Sequence, residues 1–466
     1  MIDEEEIVLN RWAAHPFFFV NGGTLDTRVI RALDKEMSFF CKDAQRTNAF
    51  KQGKWDGKEK LLFRSKKGVY FFPAGLIDHA KRVFTDFGVP YSIQNITLDN
   101  VRKNYAPLDL KWTGLPLRDY QSQAVIDILN NGGGILCHPT GSGKTLIMLR
   151  ILYELNMPAI IIVHTTELLY QWEKNVKDCF DGYIPGLVGD TNTHFDDKIT
   201  IGMLQTIHSM ISKGDTEKLT FPVLAEDECH RIPSETAYAV AMAINAPFRF
   251  GASATPYRID GADLKIFAAV GEIKSRVLIA DLIKRGLLAK PKFEFLTPPA
   301  TYISRGTKWH DAYLQGIVLN DGRNDLIIKR AKELAAEGLT VYVHVERIDH
   351  GEMLCGRLPG AVFLSGTDNS TRRQLVLKEF ETGKIKILVS TLLREGVSIN
   401  SMNCFVAAGG MKSPIGVIQR IGRALRIAPG KTEAILVDFR DSGRFLSDHW
   451  ASRYETYKST FGEYCP

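Results

Sequence analysis

From Gly134 onward the chain alternates two kinds of apolar patterning. Short β-branched runs, GILC at 134–137, AIIIVH at 159–164, KITIG at 198–202, FPVLAED at 221–227 and FRFGAS at 248–253, are separated by stretches with apolar residues at helical spacing. Runs this short and this apolar predict strands covered on both faces, and helices between them predict parallel pairing. The rhythm breaks around Leu287–Pro299, in LAKPKFEFLTPP. It resumes with TVYVHV at 340–345, GAVFLSG at 360–366, KIKILVST at 384–391, NCFVAAGG at 403–410 and EAILVDF at 433–439. Two α/β units in tandem are expected.

The N-terminal region is patterned differently. FKQGKWDGKEKLLFRSKKGVYFF at 50–72 predicts strands joined at Asp56-Gly57 and around Gly68, with a helix from about Gly75 to Phe87. The Pro- and Gly-containing linker KNYAPLDLKWTGLPLRD then leads into the first α/β unit. The expected division is a small α+β accessory domain at 1–105, one α/β unit at 106–290 and a second at 291–466. In the tail, Trp450, Tyr454, Tyr457 and Phe461 follow i, i+4, i+7, i+11, which predicts a helix packed on the second unit.

Length and composition narrow the class. A chain of 466 residues is long enough for two or three domains with their own cores. Lys and Arg number 59 against 53 Asp and Glu, a net charge of +6 that is compatible with nucleic acid without requiring it. Distribution says more than the total. Residues 42–67 hold Lys42, Arg46, Lys51, Lys54, Lys58, Lys60, Arg64, Lys66 and Lys67 against Asp43, Asp56 and Glu59, an excess as large as the whole chain's. A hairpin so charged could track phosphates, with Trp55 or Phe50 stacking on an unpaired base; it also fits a solvated face with Trp55 in a core. The seven cysteines are scattered with no CxxC pair, so neither a zinc site nor a disulfide framework is expected. The acidic start MIDEEEIVLN is unlike a secretory signal, and no apolar run approaches the roughly 20 residues that span a bilayer. A cytoplasmic location is expected, the host's cytoplasm if the chain is phage-encoded.

Candidate chemistry begins at HPTGSGKT, residues 138–145, between a predicted strand and the helical LIMLRILYEL. In that context Thr140, Gly141, Ser142 and Gly143 let backbone N–H groups close around phosphate oxygens at a helix N-terminus. Lys144 would neutralise the β- and γ-phosphates, and the Thr145 hydroxyl would hold Mg²⁺. His138 stands where such loops usually begin with a small residue. AEDECH at 225–230 ends the FPVL strand. An Asp-Glu pair alone fits a helix cap, but behind a phosphate loop Asp227 can serve Mg²⁺ while Glu228 polarises the attacking water. Late in the chain, QRIGRALR at 419–426 stacks Arg420, Arg423 and Arg426 at i, i+3 and i+6 if helical. Three like charges on one helix side repel, so an anion is expected there.

PTGSGKT, DECH, SAT at 253–255 and QRIGRALR, in this order across two α/β units, resemble the core of superfamily 2 helicases over roughly residues 112–440. The resemblance implies two tandem RecA-like parallel-sheet domains, here with the small N-terminal α+β domain, and ATP with Mg²⁺ as cofactors. It implies nucleic-acid contacts at Thr165 and Gln171 in HTTELLYQW, where His164 replaces the usual proline, at Gln205 and Thr206 in LQT, and at Thr391, besides Lys54, Trp55 and Lys58. In LRDYQ at 117–121, Arg118 and Gln121 would face the adenine. Ser253, Thr255 and His230 would couple hydrolysis to movement, together with Gly396 in EGVS at 395–398, where Ser398 replaces the family's common Asp. The anion for the arginines would be the γ-phosphate of the nucleotide on Lys144, with Arg423 and Arg426 as arginine fingers and Gln419 and Arg420 organising the site. Such a finger is worth ~10³–10⁵ in rate.

GKWDGKEKLL, FPAGLIDHAKRVF, DFGVPYSI and, at 344–354, HVERIDHGEML resemble phage UvsW-type helicases, which remodel branched DNA. The XPB and RecG groups of DNA translocases are more distantly similar. The resemblance implies an ATP-dependent DNA helicase acting on forks and Holliday junctions in recombination, repair and replication. An RNA helicase of the same superfamily, or an ATP-switched clamp on branched DNA, are the competing expectations.

Overall fold

Alternation of buried and exposed residues builds the accessory fold. In the computed structural model, which describes residues 6–11, 16–22, 25–94, 98–257, 261–392, 402–410 and 414–466, Ile7, Leu9, Phe18, Val20 and Phe72 point to one face of a five-stranded sheet. Its order is Phe63–Arg64, Tyr70–Pro73, Phe17–Gly22, Ile7–Asn10, Tyr91–Gln94, antiparallel except for the last pair. Helices Thr27–Glu36 and Ile77–Asp86 cover that face through Val29, Leu33, Ala80, Val83 and Phe84. The turn at Gly68 joins two strands, as its sequence suggests. Asp56-Gly57 does not. The segment before it is the helix Asn48–Lys51, capped by the Thr47 hydroxyl on Phe50 N–H, and Lys58–Lys60 pairs instead with Ser38–Phe40. Gly57, at φ +81°, passes beneath Phe40 and Phe50; a Cβ there would come within 2.7 Å of the Phe40 ring.

The accessory fold and the first α/β layer form one compact unit of residues 1–138 and 143–276; residues 139–142 and 277–466 form the other. Leu264 and Ala268 of helix Asp263–Val270 belong to the same apolar cluster as Phe18 and Phe72. A Cβ on Gly75 would lie 1.9 Å from the Phe267 carbonyl oxygen, so only glycine permits this approach. Ion pairs Lys265–Glu59 (2.7 Å), Lys274–Asp78 (2.6 Å) and Arg82–Glu272 (2.7 Å) fasten the seam.

The first α/β layer has eight strands in the order Asn192–Thr193, Gly186–Gly189, Ile199–Met203, Ala159–Val163, Val223–Asp227, Phe248–Ser253, Gly133–Cys137, Ile273–Arg276. All pair in parallel except Asn192–Thr193. The central strands are buried on both sides: Ile161 and Val163 face helices Asp119–Asn130, Lys144–Leu155 and Thr166–Cys179, while Ile160 and Ile162 face Leu204–Lys213, Glu235–Ala243 and Asp263–Val270.

The second unit is a six-stranded parallel sheet, Lys290–Leu296, Glu433–Phe439, Cys404–Val406, Val341–His344, Ile387–Ser390, Val362–Leu364. The expected break around Leu287–Pro299 therefore contains a seven-residue strand, paired in register from Lys290–Glu433 to Leu296–Phe439. Its position explains the misleading sequence. As an edge strand it leaves one row of backbone groups unpaired, so Pro291, without an N–H, is tolerated. Helix Leu446–Phe461 lays its aromatic stripe on this strand, Phe293 to Tyr457 at 5.1 Å and Phe295 to Trp450 at 5.0 Å between ring centroids. No helix among the described residues is long and apolar enough to cross a membrane.

Beneath that helix, Arg453 Nε donates to Asp438 (2.8 Å), Arg323 Nε donates to Asp441 (2.7 Å), and Tyr457 OH donates to Asp438 (2.6 Å), all buried. Removing one partner leaves charge without compensation in low dielectric. Arg453→Met should therefore lower the unfolding free energy of this unit by about 3–5 kcal/mol, read as a lower urea midpoint. His350, bonded to Asn324 Oδ1 at 2.9 Å, is pushed down to about 3 by burial and by Arg323. An unfolded histidine takes its proton near 6.5, so the unfolded state binds more protons between these values and stability falls as pH drops from about 6.5 towards 3. His350→Gln should flatten that fall in a pH series of urea melts.

Candidate active site

Strand Gly133–Cys137 runs into the phosphate loop, and helix Lys144–Leu155 leaves it. Gly141 and Gly143 have φ of +87° and +83°, which turns successive N–H groups towards one side of the loop at the helix start. Lys144 Nζ donates to the His138 carbonyl at 3.2 Å, and Thr145 is half-buried on the first turn. His138 is fully buried, with Nε2 3.0 Å from Ser275 Oγ, and is pushed down to about 4 by burial and by Lys144. It is neutral at pH 7 and ties the loop entrance to the edge strand Ile273–Arg276, so the departure from a small residue adds no charge to the site. Gln121 accepts from Arg118 N–H through Oε1 (2.9 Å), and its amide lies against the loop: a Cβ on Gly143 would be 2.4 Å from Gln121 Nε2. Arg118 is exposed ahead of helix Asp119–Asn130.

Strand Val223–Asp227 ends at the carboxylates. Trp172 Nε1 donates to Asp227 Oδ2 at 2.8 Å, and Glu228 N–H donates to Oδ1 at 3.0 Å. Burial and the neighbouring Glu228 push Asp227 upward, while Trp172 and Lys144 oppose them. Glu228 takes a left-handed φ of +50°, turning the chain sharply out of the strand. Its Oε2 lies 3.2 Å from His230 Nδ1, which lies 3.2 Å from Ser253 Oγ, which accepts from Thr255 N–H at 3.1 Å. The structure thus brings Glu228, His230, Ser253 and Thr255 into one polar chain across two adjacent strands. His164 is pushed down to about 4 by burial and by Arg231 and His230, and so is neutral.

Sheet order sorts the remaining residues. Thr165, whose hydroxyl caps helix Thr166–Cys179, and exposed Gln171 follow strand Ala159–Val163; Gln205 and Thr206 open the helix after the adjacent Ile199–Met203. All lie at the carboxyl edge, beyond the carboxylates and away from the phosphate loop. Lys54 and Lys58 are exposed in the accessory domain, where Trp55 is half-buried and donates to the Lys58 carbonyl at 2.8 Å. In the second unit Thr391 lies just past strand Ile387–Ser390, its N–H 3.3 Å from the Leu364 carbonyl. Gly396 and Ser398 lie outside the described residues.

Helix Pro414–Ala424 carries Gln419, Arg420 and Arg423, and Arg426 follows it. Arg420 finds an anion within its own unit, Glu346 at 3.1 Å. Burial works to raise Glu346, but hydrogen bonds from His344 (3.3 Å) and Arg420 override it and hold the carboxylate at about 2. Arg423 is buried, and Arg426 is pulled down to about 10 by burial and by the like charge of Arg423. The repulsion expected from sequence is thus present between these two. Sequence reasoning assigned Gln171 and left Trp172 idle; its signal is that a buried indole N–H needs an acceptor. Glu346, in HVER, was likewise missed because its partner lies 74 residues away.

Two family models match the chain: "Type III restriction enzyme, res subunit" over residues 114–258, and "Helicase conserved C-terminal domain" over residues 325–428. They fall on the two units in the order that the motifs require. The chain belongs to the superfamily 2 helicases. Its matches include DNA 3'-5' translocase XPB2 of Sulfurisphaera tokodaii, 26% identical over 74% of this chain and 86% of the relative. ATP-dependent DNA helicase uvsW of Enterobacteria phage T4 is 26% identical over 86% of this chain and 85% of the relative. Among solved structures, S. cerevisiae Dbp5 bound to RNA and ADP BeF3 covers 74% of this chain and 88% of that chain at TM-score 0.52 and 14% identity, a likeness of fold.

In this helicase the Trp172–Asp227 bond joins a carboxylate to the helix that Thr165 caps and that bears Gln171. Trp172→Phe keeps an apolar aromatic ring at a smaller volume and leaves Asp227 Oδ2 without its donor. Nucleotide hydrolysis should fall about tenfold or more in kcat, measured well below the variant's unfolding midpoint, which the smaller ring lowers. An unchanged kcat would show the bond to be idle in turnover.

Proposed function

We propose that this helicase is an ATP-driven DNA motor that remodels branched DNA, regressing forks and migrating Holliday junctions in phage-type recombination, repair and replication, in the cytoplasm. The observation that carries the reading is the seam between the accessory fold and the first α/β layer. The basic segment 42–67 rides on a domain that shares a core and three ion pairs with that layer. A strand drawn past the carboxyl edge would therefore meet a rigid basic body rather than a tethered one, which suits separation of strands at a junction. The names of the XPB2 and uvsW relatives, both DNA-directed, support DNA as the track.

In this reading the loop N–H groups of Thr140 to Gly143 and the Lys144 ammonium hold the phosphates, and Arg118 and Gln121 hold the adenine side. Thr145 and Asp227 supply hydroxyl and carboxylate oxygens, the hard donors that Mg²⁺ takes, and both Asp227 oxygens retain lone pairs beside their single hydrogen bonds. Bound there, Mg²⁺ would neutralise phosphate charge. Glu228 orients and deprotonates water, and the 3.2 Å links through His230 and Ser253 pass its state to Thr255. Arg423 and Arg426 stabilise the charge that develops on the transferring phosphoryl group, while Glu346 fixes Arg420 and Gln419 completes the helix face. Thr165, Gln171, Gln205, Thr206, Thr391 and Gly396 serve the translocating strand and its coupling.

The test is ATP hydrolysis by parent and Arg423→Ala with linear, forked and four-way DNA and with RNA, at one stated salt concentration because phosphate contacts depend on it. Forks and junctions should stimulate more than linear duplex. Arg423→Ala should still bind ATP yet lose stimulated turnover by roughly 10³-fold or more. Equal stimulation by linear DNA would remove the branched specificity, stimulation by RNA alone would make this an RNA helicase, and unchanged turnover would remove the finger.

A further inference from the structure

One row of side chains crosses the outer face of the accessory sheet. Register places Phe63 opposite Phe71, Phe71 opposite Phe19, Phe19 opposite Asn10 and Asn10 opposite Gln94. Side chains alternate along a strand, so this row lies on the side away from Phe18, Val20 and Phe72, which fill the core. The rings touch one another: Phe63–Phe71 at 5.3 Å and 30°, Phe19–Phe71 at 5.6 Å and 25°, with Phe17 edge-on to Phe71 at 5.5 Å and to Phe63 at 6.0 Å. Phe63 is 36% exposed, and Phe17, Phe19 and Phe71 are half-buried. These four phenylalanines stand apart from the apolar core cluster on the other face, and Phe63 leaves more than a third of its surface to solvent.

Chemistry along the row changes in a definite direction, from three aromatic rings to two carboxamides. The hairpin that joins Phe63 to Phe71, FRSKKGVYF, contains three basic residues and no acidic one, and Arg64, Lys66 and Lys67 are all exposed. Its positive charge selects a polyanion, and the rings select one whose bases are free to stack. A duplex keeps its base faces inside and presents none to a flat sheet.

We propose that this face is a platform for an unpaired DNA strand, with Phe63, Phe71 and Phe19 stacking on bases, Asn10 and Gln94 meeting base edges, and Arg64, Lys66 and Lys67 meeting phosphates. The proposal rests on the reading of the chain as a DNA motor and adds to it a place for the strand released at a junction. Aromatic stacking tolerates any base, so the platform holds a displaced strand without reading its sequence.

The experiment titrates the full chain into labelled oligo(dT) on the order of 15 nucleotides, blunt duplex with the same number of phosphates, and oligo(U). The double variant Phe63→Leu, Phe71→Leu keeps apolar bulk and removes stacking; it should weaken oligo(dT) binding about tenfold and duplex binding far less. Phe63→Trp, which preserves an aromatic ring, should keep the affinity, and its added emission should be quenched as oligo(dT) saturates. Unchanged oligo(dT) affinity in the double variant, or unaltered Phe63→Trp emission at saturation, overturns the proposal. So does equal loss on duplex, tighter binding to oligo(U) than to oligo(dT), or a dimer of the parent that dissociates in the double variant, which would make the face a self-association surface. Stimulation of hydrolysis by branched DNA in the parent reads the motor proposal separately, so failure of one leaves the other distinguishable.

Discussion

Ile199–Met203, Ala159–Val163, Val223–Asp227, Phe248–Ser253 and Gly133–Cys137 pair in parallel as consecutive neighbours, so their carboxyl ends must meet a single edge. Everything chemical in this unit follows from that pairing. Across the edge, the order is Gln205 and Thr206, then Thr165 and Gln171, then Asp227 and Glu228, then Ser253 and Thr255, and last the phosphate loop. Groups suited to nucleic acid stand on one side of the carboxylates, and groups suited to phosphate stand on the other. The two strands between them carry the polar chain from Glu228 through His230 to Ser253.

Burial sets the electrical state of this edge. His138 and His164 are both pushed down to about 4, so neither adds a positive charge to a site that Lys144 and the loop N–H groups already make attractive to phosphate. Asp227 is pushed up by its surroundings and held in place by the Trp172 indole, a donor that cannot ionise. In the second unit the logic is different. Arg420 is paired with Glu346, and Arg426 is pulled down to about 10 by burial and by the like charge of Arg423. Buried charge of the other kind, the Arg323, Arg453, Asp438 and Asp441 network, is fully paired and serves to lock the tail helix.

The accessory domain is bound to the first layer by a shared apolar cluster, by the close approach of Gly75 to Phe267 and by ion pairs. Removing residues 1–105 would expose Leu264 and Ala268 and strand Lys265, so such a truncation would test stability as much as DNA preference. Point changes on the outer sheet face avoid that difficulty. The same seam gives the sheet its direction: one face is committed to the core, and the other carries the aromatic row with Phe63 exposed at its end.

The sequence by itself determined the repeated α/β rhythm, the phosphate loop, the Asp-Glu pair and the late arginines, because each is written in residues adjacent along the chain or at helical spacing. It misjudged the edge strand Lys290–Leu296, whose proline looks like a break until its place at the edge of the sheet is known. It also took Asp56-Gly57 for a hairpin turn, when the residues before it form a capped helix. Only the tertiary structure decided that Trp172 holds Asp227, that Glu346 takes Arg420, and that the functional order across the sheet differs from the order along the chain. The physical reason is the same in each case: these partners are chosen by parallel crossovers that carry the chain away and return it beside a strand tens of residues distant, and no local pattern records where it returns.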